Sequence, residues 1–315
     1  ECRDAVPAAA ADLLDRFDRG DSSSWITVKA AADATRTAAA ELKAFLTGAA
    51  EEGKVPLVLV RGELGQGKTT LLRRVAWELA EQGGPRVFWR EYGVDVPDRY
   101  VPAEADDAQA VFVADDADEL DNLPQLLTPL AANGKGKARL LLAADTTEWD
   151  RSGLDHRIRQ DAQIHELTLG TPDDAECLAI AEGLASRSRL ADGLTVDAAA
   201  KSMAGAEGSL MDRIASARGV GSISEAVSRR IDALAGDDLH GRAYLAVATV
   251  HRYGMSLSRK HLAGLLGLPE GELEAKVLTP LAHSLIPVGP TAVRTRHPLV
   301  AGAVCGLLAT DDAAR

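Results

Sequence analysis

The chain has 315 residues, 46% hydrophobic and 4% aromatic, and a formal net charge of −12 at pH 7. That length sets an expectation of two or three domains, with cores built from Ala, Leu and Val because aromatics are few. The acidity argues against a general nucleic-acid binder, which needs a basic surface, and no apolar run reaches membrane-spanning length. The cysteines Cys2, Cys177 and Cys305 are widely spaced, without metal-type pairing. They fit a reducing cytosol, and no signal peptide is visible, so a cytoplasmic setting is expected. The first residue is Glu1, not Met, so an excerpt or processed form is expected, with neighbouring effector or sensor domains outside it.

Residues 5–19 place Ala11, Leu13, Leu14 and Phe17 at helical spacing and stop at Gly20. Asp21-Ser22-Ser23-Ser24 reads as a turn or linker. Residues 25–28 are apolar and expected to be extended, with a helix following to about Leu46. Five strand-like runs come next, at 55–60, 86–90, 110–114, 139–144 and 164–169. Near-continuous apolar runs separated by helices predict an α/β fold, a parallel five-stranded sheet covered on both faces. The connection from Glu91 to Gln109 is short and acidic, so any helix there is small. Gly134-Lys135-Gly136-Lys137 is a flexible turn before the fourth strand.

The stretch after the first strand is Gly62-Glu63-Leu64-Gly65-Gln66-Gly67-Lys68-Thr69-Thr70, which fits the P-loop pattern G-x-x-x-x-G-K-[ST]. Apolar residues at helical spacing follow (Leu72, Val75, Ala76, Leu79), so strand, glycine loop and helix stand in the required order. Glycines let the backbone turn its N–H groups onto phosphate oxygens, and the helix N-terminus adds partial positive charge. In this pattern Lys68 reaches the β- and γ-phosphates and Thr69 ligates Mg²⁺.

The third strand ends in Asp115-Asp116, the Walker B pattern of P-loop ATPases. Asp115 is assigned to the water shell of Mg²⁺, and Asp116 to polarising the attacking water. Alternatively, Asp116 begins a solvated acidic turn with Asp118, Glu119 and Asp121. Asp145-Thr146-Thr147 follows the fourth strand, where P-loop ATPases with an extra strand between the Walker motifs place a polar γ-phosphate sensor. Thr146 or Asp145 fits that role, and helix capping is the rival reading. Arg157 and Arg159 come after it as candidate phosphate-sensing arginines, with surface solvation as the rival. No N-K-x-D motif occurs here, which favours ATP over GTP.

Thr171-Pro172-Asp173-Asp174 is a strong helix start, and helical patterns run to about Ala235, broken at Gly205 and at Gly219-Val220-Gly221. Helices are then expected over 239–251, 258–266 and 269–285, with a hairpin over 286–296 around Gly289-Pro290 and a last helix near Pro298. Three helices and a hairpin form a winged-helix order, which often reads DNA through its third helix. That helix carries Glu270, Glu272 and Glu274 against Lys276, and acids repel phosphates, so sequence-specific DNA binding is not expected. The resulting division is 1–24 flanking helix and linker, 25–170 P-loop NTPase domain, 171–235 helical lid and 236–315 winged-helix domain.

This order, with the Asp115-Asp116 pair, resembles the STAND class of signal-transduction ATPases, which includes apoptosome and plant immune-receptor modules, bacterial regulators and antiphage defence proteins. The resemblance covers roughly residues 25–310. It implies an ATP/ADP switch with slow hydrolysis, closed with ADP and self-associating with ATP. His297, in Arg294-Thr295-Arg296-His297-Pro298-Leu299, stands at the place of the class histidine that contacts the ADP β-phosphate, with Arg296 assisting; the alternative is that His297 caps the final helix or packs locally. Pro298 replaces the usual acid. Trp25-Ile26-Thr27-Val28 stands where the class has a hydrophobic-hydrophobic-Gly-Arg motif, and by resemblance Trp25 lines the adenine pocket, with Arg36 further on; ordinary core packing of Trp25 is the rival reading. The lid lacks a clean Gly-x-Pro motif, and Gly205-Ala206-Glu207-Gly208 occupies its region. The alternatives are an AAA+-like DNA-associated ATPase and a winged-helix transcription regulator with an ATPase module.

Overall fold

The computed structural model describes residues 13, 14, 17, 23–34, 36–90, 96, 109–132, 137–219, 238–253, 255–281, 285–288, 290–295, 301, 302, 304 and 305. The chain divides into two compact units, Glu1–Leu190 with Leu194–Leu210, and Ala191–Gly193 with Met211–Arg315. No helix among the described residues is long and apolar enough to cross a membrane.

The first unit holds a five-stranded parallel sheet of β1 (Val55–Gly62), β2 (Arg86–Trp89), β3 (Ala110–Ala114), β4 (Ala138–Asp145) and β5 (Ala162–Thr168). Its order is β2-β3-β4-β1-β5, so β4 lies between the P-loop strand and the Asp115 strand. Alternate residues of each strand serve opposite faces. Leu57, Leu59, Leu140 and Leu142 pack with Leu127, Trp149 and Leu154, and Val58, Val60, Val111 and Leu141 pack with Leu42, Leu72 and Val75.

The helices of this unit are α1 (Trp25–Lys29), α2 (Ala38–Thr47), α3 (Lys68–Glu81), α4 (Leu123–Ala132), α5 (Thr146–Ser152), α6 (Leu154–Ile158), α7 (Asp174–Ser186) and α8 (Val196–Gly205). Helix α1 corrects the expectation of an extended segment. Ser24 and Thr27 form a reciprocal capping box, and that local bonding outweighs the strand-like composition of Trp25, Ile26 and Val28. The P-loop helix begins at Lys68, ahead of the apolar positions that start at Leu72, because its first turn is polar. Asp173 caps α7 through a second capping box with Glu176, which leaves Pro172 before the cap. Of the helix expected over 5–19, Leu13, Leu14 and Phe17 are described and are helical.

Helix α9 (Leu210–Ala217) starts at the last residue of the first unit and continues in the second. The second unit also contains α10 (Asp238–His251), β6 (Leu257–Ser258), α11 (Arg259–Leu266), α12 (Glu270–Leu273), a π-helical turn at Glu274–Leu278, β7 (Leu285–Val288) and β8 (Ala292–Thr295). The strands form an antiparallel sheet in the order β6-β8-β7, with Leu257 opposite Val293 and Val288 opposite Ala292. The third helix is shorter than the expected 269–285. It widens into the π turn, and Leu285 opens β7 instead. Val247, Leu262, Val277 and Val293 share one core, where the buried His251 Nδ1 meets Thr295 Oγ1 at 2.6 Å.

Candidate functional site

The P-loop joins the end of β1 to α3, at the end of the sheet where β3 and β4 also finish. Gly65 and Gly67 have φ of 80° and 86°, the left-handed region that a Cβ disfavours, and these angles let the loop fold back to the helix start. Gly62 is required for a different reason. A Cβ there would lie 2.9 Å from the Leu169 carbonyl oxygen, so the loop leaves the sheet against β5's exit with no room for a side chain. Glu63 and Leu64 form the exposed tip, while Gly65 and Gln66 are buried and Thr70 is half-buried.

Lys68 is 9% exposed, and its Nζ donates to the carbonyls of Gly62 at 2.7 Å and Glu63 at 3.1 Å. The ammonium is thereby folded over the loop. Thr69 Oγ1 donates to Asp115 Oδ2, so the two residues read as metal ligands are brought into contact from β3 and α3. Both offer hard oxygen donors, the type Mg²⁺ takes, and a cation that keeps most of its water needs few protein ligands. Among the described residues no group of three or more His, Cys, Asp and Glu could hold a metal ion. The donor set therefore fits Mg²⁺ held jointly with phosphate and water.

Asp116 has φ 53° and ψ 49°, a left-handed conformation at the head of the short 3₁₀ turn Ala117–Glu119. Asp tolerates this region better than most residues, yet it remains a strained position beside the strand end. Asp118 accepts from the Asp145 backbone N–H at 3.3 Å, tying the turn after β3 to the end of β4. Asp145 itself caps α5, its Oδ1 accepting from Thr147 N at 2.9 Å and Glu148 N at 3.3 Å. The capping reading of Asp145 is thus observed. Thr146 opens α5, half-buried, and its carbonyl accepts from Arg61 Nη2 at 3.2 Å. Arg61 also pairs with Asp150 at 2.5 Å and Glu166 at 2.8 Å. Burial acts to lower its pKa, and these two carboxylates raise it overall.

Trp25 is half-buried and packs edge-to-face on Trp89, ring centroids 5.1 Å apart, with the Arg73 guanidinium 5.0 Å over Trp89 and 6.0 Å over Trp25. Arg73 also donates to Ser23. Arg159 pairs with Asp155 at the surface, and Arg157 is exposed. His297 and Arg296 lie outside the described residues.

Two contacts escaped the sequence reading. Leu210 reaches the P-loop, its Cδ2 3.4 Å from where a Cβ on Gly67 would stand. Arg36, noted only as lying beyond Trp25, donates to the Gln66 carbonyl. Neither has a local signal, since each acts on residues far away in the chain.

A family model described as Novel STAND NTPase 5 matches residues 15–156. No curated protein matches the chain. Among solved structures, the Thermotoga maritima RuvB Holliday junction branch migration motor is similar at 20% identity, covering 89% of this chain and 96% of its own, with a TM-score of 0.37. The Aeropyrum pernix ORC1 protein in complex with DNA is 13% identical, covering 97% and 94%, with a TM-score of 0.41. The Aeropyrum pernix ORC2 protein (ADPNP-ADP complexes) is 17% identical, covering 88% and 93%, with a TM-score of 0.37. Over residues 15–156, which contain the P-loop, Asp115 and the end of β4, the chain matches the novel STAND NTPases, and its five-stranded parallel sheet has the α/β architecture of a P-loop NTPase.

Proposed function

We propose that the chain is an ATP/ADP-dependent signalling switch with slow, regulatory hydrolysis. The observation that carries this reading is the meeting of Thr69 and Asp115 beside the folded-over Lys68, at the strand ends of a STAND-type domain. In this proposal the P-loop N–H groups and Lys68 hold the phosphates, and Thr69 with Asp115 hold Mg²⁺, which supplies charge neutralisation on the phosphate oxygens. Asp116 accepts the proton of the attacking water, and Thr146 senses the γ-phosphate from the end of β4. Trp25, with its indole beside Trp89, belongs to the base side of the site.

The switch itself rests on the second unit. Residues 236–315 act as a winged-helix domain, and His297 with Arg296 contact the β-phosphate of ADP to stabilise a closed state. ATP favours self-association, and effector or sensor domains complete the pathway. Charge supports regulation over DNA binding, since the chain carries a net charge of −12 and the nearby cations Lys276 and Arg259 are already paired with Glu272 at 2.5 Å and Glu274 at 3.0 Å.

The test is calorimetric titration of ATP and ADP with Mg²⁺, followed by light scattering of each complex. Tight ADP binding by a monomer and larger particles with ATP are expected. His297→Ala should weaken ADP binding by roughly ten- to a hundredfold, the scale of one hydrogen bond to a charged group, and leave ATP binding intact. Salt-dependent duplex binding, together with identical particle size in both nucleotides, would overturn the switch in favour of a DNA-associated ATPase.

A further inference from the structure

Arg36 lies just before α2 and is 8% exposed. It touches three separate segments. Its Nη1 donates to the Gln66 carbonyl at 3.2 Å, its Nη2 donates to the Gly170 carbonyl at 3.1 Å, and its Nε lies 2.9 Å from Glu176 Oε2. Glu176 is 6% exposed and is held in turn, its Oε1 accepting from Thr37 N at 2.9 Å and Thr37 Oγ1 at 3.1 Å, and its Oε2 from Asp173 N at 3.3 Å. The guanidinium is thus fixed by a carboxylate that is itself fixed at the start of α7.

The Gln66 carbonyl and the Gly67 N–H belong to one planar trans peptide, so they point in opposite directions. Holding the carbonyl toward Arg36 therefore turns the Gly67 N–H the other way. Gly67, with φ of 86°, is free to rotate in a way that other residues are not, and so gains most from an external restraint. We propose that Arg36 is a positioning residue of the P-loop, which orients the Gly67 N–H for phosphate from behind the loop, with Glu176 as its anchor. This rests on the nucleotide reading given above.

The test compares Glu176→Gln, which keeps both Arg36–carbonyl bonds, with the double variant Arg36→Met and Glu176→Gln, which removes them without leaving a buried charge unpaired. The readouts are calorimetric affinity for Mg²⁺-ADP and Mg²⁺-ATP and the nucleotide-free melting temperature. Affinity should fall roughly ten- to a hundredfold in the double variant and by less than about threefold in Glu176→Gln, while the nucleotide-free melting temperature falls more in Glu176→Gln, which strands the buried Arg36 cation, so that lost stability and lost affinity separate. Arg36→Lys, which keeps the charge but donates from a single nitrogen, should fall between wild type and the double variant. It remains informative should the double variant not fold. Equal affinity across wild type, Arg36→Lys and the double variant, with Lys68→Ala losing binding, would overturn the positioning role alone. A wild-type chain that binds neither nucleotide would overturn the nucleotide reading and this inference with it.

Discussion

Thr69 Oγ1 donates a hydrogen bond to Asp115 Oδ2, joining the first turn of α3 to the residue that follows β3. The two are far apart in sequence, and their contact is produced by the crossover that brings β3 into the same sheet as β1, with β4 between them. Two hard oxygens at one point make a half-built cation site. Thr69→Val keeps the shape and removes the oxygen. Nucleotide affinity should fall roughly tenfold in excess Mg²⁺ and be unchanged in EDTA, since the loss is one hydrogen bond or ligand to a charged group. Titration under both conditions checks it, and an equal loss in EDTA would argue against a metal role.

Lys68→Ala should abolish measurable nucleotide binding and leave the fold intact. The ammonium is buried on two carbonyls, Gly62 and Glu63, so its removal takes away the cation over the loop without emptying an apolar core. Circular dichroism together with calorimetry decides between a lost site and a lost fold.

Asp116→Asn should preserve binding and slow turnover by roughly 10²–10⁴, the scale of a general base. Asn also tolerates the left-handed backbone at φ 53°. Asp116→Ala adds a backbone cost of about 1–2 kcal/mol to the same kinetic loss. Unchanged turnover in Asp116→Asn would make Asp116 a turn residue only.

Gly62→Ala should destabilise the chain by about 1–3 kcal/mol, because the new methyl would stand 2.9 Å from the Leu169 carbonyl oxygen, a backbone atom that cannot swing aside as a side chain could. Chemical denaturation measures it. A neutral result would mean that β1 and β5 separate more easily at their ends than this packing implies.

Arg74 of α3 and Asp33 are both buried, with Nε donating to Oδ2 at 2.9 Å and Nη2 donating to the Val28 carbonyl at 2.9 Å. Burial acts to lower the pKa of Arg74, and Asp33, with Glu78 and Glu81, raises it overall. Arg74→Met should cost about 3–5 kcal/mol by stranding the Asp33 charge, and adding Asp33→Asn should recover most of that. A double-mutant cycle in urea reads the coupling. Additive losses would show the pair to be uncoupled.

Much of the first unit could be read from local pattern. The five strands fall within a few residues of the apolar runs, and the three central ones, β1, β3 and β4, are buried on both faces and so must be apolar along nearly their whole length. The P-loop and Asp115 were legible because phosphate binding demands glycines and a lysine at fixed spacing. The failures were also physical. Trp25–Lys29 has strand-like composition, but Ser24 and Thr27 cap it into a helix. The helix expected to reach Leu285 gives way to a π turn over Glu274–Leu278, and although the Leu285 N–H still donates to the Leu281 carbonyl at 2.8 Å, Leu285 stands opposite Thr295 as the first residue of β7.

By itself the sequence determined that this chain carries a P-loop at the end of an α/β strand and an acidic strand end to serve it, since both are contiguous patterns. Only the tertiary structure decided which distant residues complete the site. The contact of Thr69 with Asp115, the grip of Arg36 on Gln66 and Glu176, and the approach of Leu210 to Gly67 all join segments whose separation carries no periodic signal. They exist because parallel strands need crossovers, and crossovers bring distant strand ends to one edge of the sheet.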